Sequence, residues 1–572
     1  MFNRFVFVSL GLFILIPACS TIQNQDGQFE DLANNYIEKF LKMNPVWATS
    51  LGDHRYDDII DDYSLEGINN TLQFNRSYLD SLNAMDKNKL SETNRIDYQI
   101  LRSNIKYTIF RLDTLREYEW NPRVYNIGSA IYSLVARDFA PLRERLQNVK
   151  KRLLNIPPVL KEAQKNLKNP PKIHTETAIL QNRGNINLVT TELDFFLEQS
   201  PDLKSEFEPV QKEVKKALED YGTWLEEELL PKSNGDFRLG DDKYRTKLRY
   251  TLESDYSKEK IGELAQTDLR ETQKVLYETA LPLYNKHFPN KREGDKKNVI
   301  KSVLDKLAEQ HPDNSTIIDL ARKATERTTQ FVRDKELVTV PDEEVRIIVM
   351  PEFQRGVAVA YCDAPGPLET KKETFYAISP TPEDWSKKRV NSFFREYNNY
   401  MLENLTVHEA MPGHYLQLAH ANRFQAPTMI RAIFYSGTFV EGWATYAEQV
   451  MVEHGYGGPE VKMQQLKMRL RLIINALIDQ KIHTEGMTEK EAIDMMMKEG
   501  FQEEGEAAGK WRRACLTSTQ LSTYYVGNIE INDIVNRYGN KMGTDAGIKK
   551  MHDAILSFGS PAPKYVKQSL GI

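Results

Sequence analysis

The chain has 572 residues, enough to bury a large core and, by length alone, to make about three or four domains. Its 76 basic and 81 acidic residues nearly cancel, and no basic stripe argues for nucleic acid as a partner. Three cysteines (Cys19, Cys362 and Cys515) are too few for a disulfide framework, although a single bridge between the last two stays open.

In chain order, Arg4 and the apolar stretch Phe5 to Leu15 read as a signal peptide over residues 1–18, too short to span a bilayer comfortably. Ile16-Pro17-Ala18-Cys19 resembles a bacterial lipobox, which makes Cys19 the expected lipidation site and residues 19–28 a lipidated tether. Pro17 departs from the commonest lipobox, so cleavage by the ordinary signal peptidase stays open as an alternative. Extracytoplasmic placement follows from either route, and the lipid route adds a membrane anchor, with the outer membrane or periplasm expected.

The segment 29–340 is dominated by helical periodicity, for example over Phe29 to Met43, Ile68 to Met85, Leu90 to Phe110 and Glu206 to Leu230. Near residue 341 the character changes. Val345 to Met350, Val357 to Tyr361 and Thr374 to Ile378 are short β-branched or aromatic runs that predict a small antiparallel sheet. That sheet is either an edge that pairs with an extended peptide or an ordinary packing element. A helix from about Pro382 leads into His408, and helices dominate to the C-terminus. The expected fold is mainly α, one continuous domain with an N-terminal helical lobe (29–340) and a metal-binding catalytic lobe (341–572).

His408-Glu409-Ala410-Met411-Pro412-Gly413-His414, with Glu441-Gly442-Trp443 downstream, carries the ligand inventory of a hydrolytic zinc site. Two imidazoles and one carboxylate hold the ion and leave a position for water, and Glu409 is the spare acid that takes a proton from that water. The spacing is unusual. Six helical residues turn the chain by about 600°, which leaves the second imidazole roughly 120° off the first. Both face one metal only if the backbone is distorted between them. Pro412, which lacks an N–H, and Gly413, which tolerates unusual dihedrals, supply the means. The expectation is a helix through His408 and Glu409, a local bulge at Pro412-Gly413, and helix again from His414.

The stretches His408 to Gln417 (HEAMPGHYLQ) and Glu441 to Glu448 (EGWATYAE) resemble the bacterial domain-of-unknown-function 885 family. The similarity extends along almost the whole mature chain. Pro45 to Thr49 and Gly52 to Asp57 match the family's opening segment. Asp479 to His483 is similar to its D-x-G-x-H, Gln520 to Gly527 to its Q-x-x-x-Y-x-x-G, and His552 to Leu556 with Gly559 and Pro563 to its closing motif. Lys481 replaces the usual glycine, and Ser518-Thr519 the usual Pro-Gly. The resemblance implies a gluzincin-type metallopeptidase with a large helical body and a deep cleft. It carries over His408, His414 and Glu441 as zinc ligands and Glu409 as base.

The same matching nominates Tyr524, or its neighbour Tyr525, as a hydroxyl donor to a developing oxyanion. It nominates His483 as a second catalytic contact, and Arg513 and His552 for binding substrate. Arg513 is suited to a peptide carboxylate, or to a helix-face salt bridge in a segment that also holds Arg512. Glu448, two turns beyond Glu441, either orients a ligand histidine or pairs locally. Trp443 is expected to pack beside the metal, and His420 to be no ligand. The function expected is zinc-dependent hydrolysis of short extracytoplasmic peptides. The alternatives are a surface-anchored lipoprotein that binds peptides or nutrients with a degenerate or structural metal site, and metal-assisted hydrolysis of another amide or ester.

Overall fold

The structure is a computed structural model that describes residues 25–350, 360–382, 385–543 and 547–572. The expected signal segment, Cys19 and the Val357 end of the second strand run lie outside the described residues. Among those described, no helix is long and apolar enough to cross a membrane.

The principal N-terminal helices are α1 (Gln25–Met43), α2 (Leu65–Asn83), α3 (Glu92–Ile109), α4 (Lys204–Trp224), α5 (Lys258–His287), α6 (Lys296–Leu307) and α7 (Ile317–Asp334). Ser64, Ser91 and Ser257 begin three of them by accepting a backbone N–H two or three residues into the helix, which satisfies otherwise orphaned donors. One boundary shifts. The expected tether to residue 28 is already helical from Gln25, because Asp26 accepts hydrogen bonds from Ser91 N and Asn94 Nδ2 and so ties this turn to the start of α3.

The sheet has three strands, β1 (Val345–Val349), β2 (Ala360–Asp363) and β3 (Thr374–Ile378), in the order β1-β3-β2. It is mixed, which corrects the antiparallel expectation: β1 runs parallel to β3 and only β2 is antiparallel to it. β3 takes the centre because Tyr376, Ala377 and Ile378 are fully buried. That leaves β2 as an edge.

After the sheet come α8 (Asn399–Glu409), α9 (His414–Ala421), α10 (Gly437–Glu453), α11 (Gly458–Thr484), α12 (Glu504–Leu516) and α13 (Ser522–Met542). The largest apolar core joins α7, the sheet, α8, α9, α10 and α13 around Phe394, Phe439, Trp443 and Ile531. The cores also cross residue 340. Leu276, Leu283 and Ile300 of α5 and α6 pack with Met463 and Leu470 of α11, and α1 and α3 share a core with Ile430 and Tyr565. Cys362 and Cys515 are both free thiols, which closes the question of a bridge between them.

The segment between β2 and β3 is docked on the N-terminal region. Leu368 N donates to Leu51 O at 2.9 Å, and Gly366 lies so close to Leu51 that a Cβ there would meet its carbonyl carbon at 2.4 Å. His54 closes the contact, with Nδ1 2.9 Å from Asp57, Nε2 3.2 Å from Glu369, and its ring stacked on Phe139 at 3.6 Å. Burial disfavours the His54 cation, but the two carboxylates outweigh it and raise its pKa to about 9. The folded value therefore lies above the ordinary 6.5. The stabilisation is complete below about pH 6.5 and is lost as pH rises through 9. His54→Gln should cost on the order of 2 kcal/mol at pH 6. Urea titrations of both proteins between pH 6 and 9.5 should show the gap narrowing with rising pH; a gap that widens would contradict the charged clamp.

Candidate metal centre

α8 begins at Asn398, whose side chain accepts from Tyr400 N and Met401 N, and it stops after Glu409. α9 starts at His414, so the expected bulge is a complete break spanning Ala410 to Gly413. The chain turns back over the end of α8. Gly413 comes so close that a Cβ would stand 1.9 Å from His408 O and 2.3 Å from Val407 O. No other residue fits that approach, and it delivers the second imidazole to the first: the rings of His408 and His414 are 4.7 Å apart and nearly perpendicular. Trp443, 1% exposed, holds the turn from behind by donating Nε1–H to Pro412 O at 2.8 Å.

Glu441 projects from α10 into the same space. Its Oε2 lies 3.5 Å from Nε2 of His408 and 3.5 Å from Nε2 of His414. Donors about 2.0–2.1 Å from one tetrahedral ion are separated by roughly 3.3–3.5 Å, so both carboxylate–imidazole distances suit a shared zinc ion, and all three donor atoms lie within 4.8 Å of one another. The same three residues form the one His/Cys/Asp/Glu group of metal-holding geometry among the described residues. Glu441 Oε2 is buried and has no hydrogen-bond partner there, an orphaned atom that a cation would satisfy. Burial opposes ionisation of Glu441, yet the two histidines reverse this and hold its carboxyl well below the ordinary range.

Glu448, one face of α10 further on, accepts from His408 Nδ1 at 2.7 Å and from Asn404 Nδ2 at 2.7 Å. Of the two roles open to it, the structure selects the orienting one. A carboxylate on Nδ1 fixes the tautomer that leaves Nε2 as the free electron pair. Glu448→Ala should therefore weaken zinc binding by about 10- to 100-fold, as read by competition with a chromophoric chelator; unchanged affinity would remove the orienting role.

Glu409 stands outside this ligand set. Its Oε2 accepts from Cys362 N at 3.0 Å, and the charges of His408, His414 and Glu441 act on it. Loss of hydration raises its carboxyl above the ordinary value, against the pull of His408 and His414 and with Glu441 adding to the rise.

α12 and α13 line the other side. Arg513 donates from Nη2 to Tyr524 Oη and to Gln520 Oε1, both at 2.9 Å, and the charge of Glu441 acts on both Arg513 and Tyr524. Burial, then Glu441, pushes Tyr524 up to about 12 despite Arg513, so the phenol keeps its proton. The Tyr525 hydroxyl is engaged elsewhere, donating to Asp268 at 3.0 Å. α10 and α13 cross at Gly442 and Gly527, where a Cβ on either glycine would meet the other's backbone within 2.7 Å.

Two histidines expected at the site take other duties. His483 stacks with Tyr244, and its Nε2 donates to Ala514 O at 3.0 Å, at the end of the helix that carries Arg513. Burial lowers it to about 4, and it braces α12 from within the core. Asp479, one turn earlier, accepts from Thr519 N and Ser522 Oγ and fixes the start of α13 ahead of Tyr524. His552 has both nitrogens engaged, with Tyr446 Oη at 2.9 Å and Leu337 O at 2.8 Å, and lies edge-on to Trp443. It supports the tryptophan behind the turn and has no nitrogen left for substrate. His420 bonds Thr339 O and is no ligand. Arg512 leaves in another direction, to Thr177.

The architecture recurs in solved structures. A candidate lipoprotein of unknown function from Shewanella oneidensis is 31% identical, with a TM-score of 0.81 over 95% of this chain and 100% of that one. A candidate lipoprotein from Colwellia psychrerythraea shares the fold at 15% identity, with a TM-score of 0.79 over 96% of this chain and 99% of that one. No curated protein matches the sequence. The family model described as "Bacterial protein of unknown function (DUF885)" matches residues 45–570, and the chain belongs to that family.

Proposed function

We propose that the chain is a zinc-dependent peptidase that hydrolyses short peptides outside the cytoplasm. The observation that carries this reading is the convergence of His408, His414 and Glu441, with both histidine Nε2 atoms 3.5 Å from Glu441 Oε2 and a further carboxylate, Glu409, next in sequence to His408 and outside the set. A bound zinc ion supplies Lewis acidity, polarising a carbonyl and making water near it more acidic. Glu409 takes the water proton on Oε1 while Cys362 N–H holds its other oxygen. The hydroxide equivalent adds to the acyl carbon, the C–N bond breaks, and Glu409 returns the proton to the leaving nitrogen. Tyr524 donates its phenolic hydrogen to the carbonyl oxygen as charge develops there. Arg513 holds the phenol oxygen as an acceptor, which keeps that hydrogen free for substrate.

The edge strand suits the same role. Because Cys362 N–H leaves the sheet for Glu409, that side of β2 faces the metal centre, where an extended backbone can pair with it. A purely binding protein gives Glu409 no task. Anchorage by lipid at Cys19 is part of the proposal, supported by the apolar run before it and by the designation of both similar structures as candidate lipoproteins. The test is metal analysis of the purified protein followed by digestion of a mixed peptide pool. One equivalent of zinc and new amine ends, both abolished by a chelator and restored by zinc, are the expected result. Stoichiometric zinc without cleavage of any peptide would overturn the reading.

A further inference from the structure

We propose that Lys510 and Arg513 form a subsite for the C-terminal carboxylate of the peptide, so that short peptides are trimmed from that end. The proposal rests on the peptidase reading for the trimming, but the subsite itself can be tested without it.

The argument is one of charge. Lys467 and Arg471 of α11 and Lys510 and Arg513 of α12 stand in one poorly hydrated network with two carboxylates, Glu396 and Glu506. Glu396 is fully used: it accepts from Lys467 at 2.8 Å and from Arg471 at 2.5 Å. Glu506 is shared loosely, 3.5 Å from Arg471, 3.7 Å from Lys510 and 3.4 Å from the Tyr397 hydroxyl. Arg513 spends its two hydrogen bonds on neutral oxygens, those of Tyr524 and Gln520. The four cations thus share two carboxylates: Lys510 reaches Glu506 only at 3.7 Å, and Arg513 feels Glu441 and Glu506 only as longer-range charges.

An ammonium with only a distant, shared counterion is costly at such burial, and the Lys510 side chain is 11% exposed. Burial, together with Arg513 and Arg471 and against Glu506, pulls its pKa down to about 8, the mark of a charge still short of a counterion. Lys510 and Arg513 are three residues apart on one helix and share a face. That face holds Arg513 against Tyr524, and the field of Glu441 reaches Arg513. A zinc ion carries more positive charge than Glu441 can cancel, so it sharpens the imbalance. A carboxylate entering beside Tyr524 meets an ammonium and a guanidinium, while the amide bond near it lies toward the ligands. The substrate class is a short peptide with a free C-terminus, and the product released is its C-terminal end.

The test compares an N-acetylated short peptide with its C-terminal amide. The acid should be cleaved about 30-fold or more faster in kcat/KM, the scale of a charge-assisted contact. Lys510→Met should shrink that ratio to a few-fold, mainly through KM for the acid, with amide cleavage little changed. In parallel, calorimetry on zinc-loaded Glu409→Gln protein measures binding of acid and amide without turnover. Preference for the acid in binding, lost in Lys510→Met/Glu409→Gln, supports the subsite even if the wild type cleaves nothing, in which case only the peptidase reading fails. Equal cleavage or equal binding of acid and amide overturns the subsite and leaves the peptidase standing. A preference untouched by Lys510→Met places the carboxylate on the metal and overturns it as well. Should Lys510→Met fail to fold, equal or unequal handling of acid and amide by wild type decides, with Lys510→Gln as the second variant.

Discussion

Glu409→Gln is expected to retain one equivalent of zinc and to lose hydrolysis by about 10²- to 10⁴-fold, the range for a positioned general base. The two halves of this result come from different atoms. The proposed ligand set is His408, His414 and Glu441, and Glu409 does not belong to it, so exchanging an oxygen for an amide nitrogen leaves the three donors in place. Local structure should survive too. The glutamine oxygen can still accept from Cys362 N at the 3.0 Å now spanned by Oε2, and the side-chain volume is almost unchanged. What disappears is the lone pair that accepts a proton. A variant that keeps turnover within about threefold of wild type rules Glu409 out as the base. A variant that loses its zinc would instead make Glu409 a ligand, and the tetrahedral set would need redrawing. Metal analysis and steady-state kinetics on one preparation separate these outcomes.

The mainly helical fold with its small sheet and the residues that converge were legible in the sequence; the directions of the strands and of the outer histidines were not. His408, Glu409, His414 and Glu441 could be read because metal ligation demands specific side chains, and the helix-breaking Pro412-Gly413 pair explained how a six-residue gap still converges. The structure adds why the last of these is glycine: a carbonyl occupies the place of its Cβ. His483 and His552 were read too close to the site because their motifs name a residue type without its direction. One faces the end of α12 and the other the back of Trp443. Glu448 left two readings open, since seven residues along a helix gives a shared face and no partner; the partner, His408 Nδ1, comes from another helix. The antiparallel expectation for the sheet failed for a related reason. β-branched and aromatic runs mark β1, β2 and β3, but they carry no information on which pairs run parallel or which strand is central, the centre being taken by the deeply buried Tyr376 and Ile378. The Asp479 and His483 pair shows what such motifs record here: they hold the two helix ends from which Arg513 and Tyr524 project.

The helix crossing makes the second large prediction. Gly527→Ala should lower kcat by about 100-fold while the protein still folds and binds zinc. A methyl at residue 527 would lie 2.2 Å from Thr438 O and 2.7 Å from the Gly442 Cα, both backbone atoms of α10, so the helices must move apart. Overpacking of this kind costs about 1–3 kcal/mol, and alanine's better helix propensity returns up to about 1 kcal/mol of it. The fold has other cores to rest on; the site does not. Glu441 is the residue before Gly442, and Tyr524 lies one turn before Gly527, so the crossing sets the distance between a metal ligand and the proposed oxyanion donor. A displacement of about 1 Å is enough to cost two orders of magnitude in a reaction that depends on alignment. Zinc affinity should change little, because His408, His414 and Glu441 lie on the α8–α10 side of the crossing. Gly184→Ala serves as the control: it is also helical, a Cβ there meets nothing within 4 Å, and it should leave turnover intact and stabilise by up to about 1 kcal/mol. Equal kinetics for the two alanine variants would mean that Tyr524 does not need its distance from Glu441, and the oxyanion role would pass to another donor.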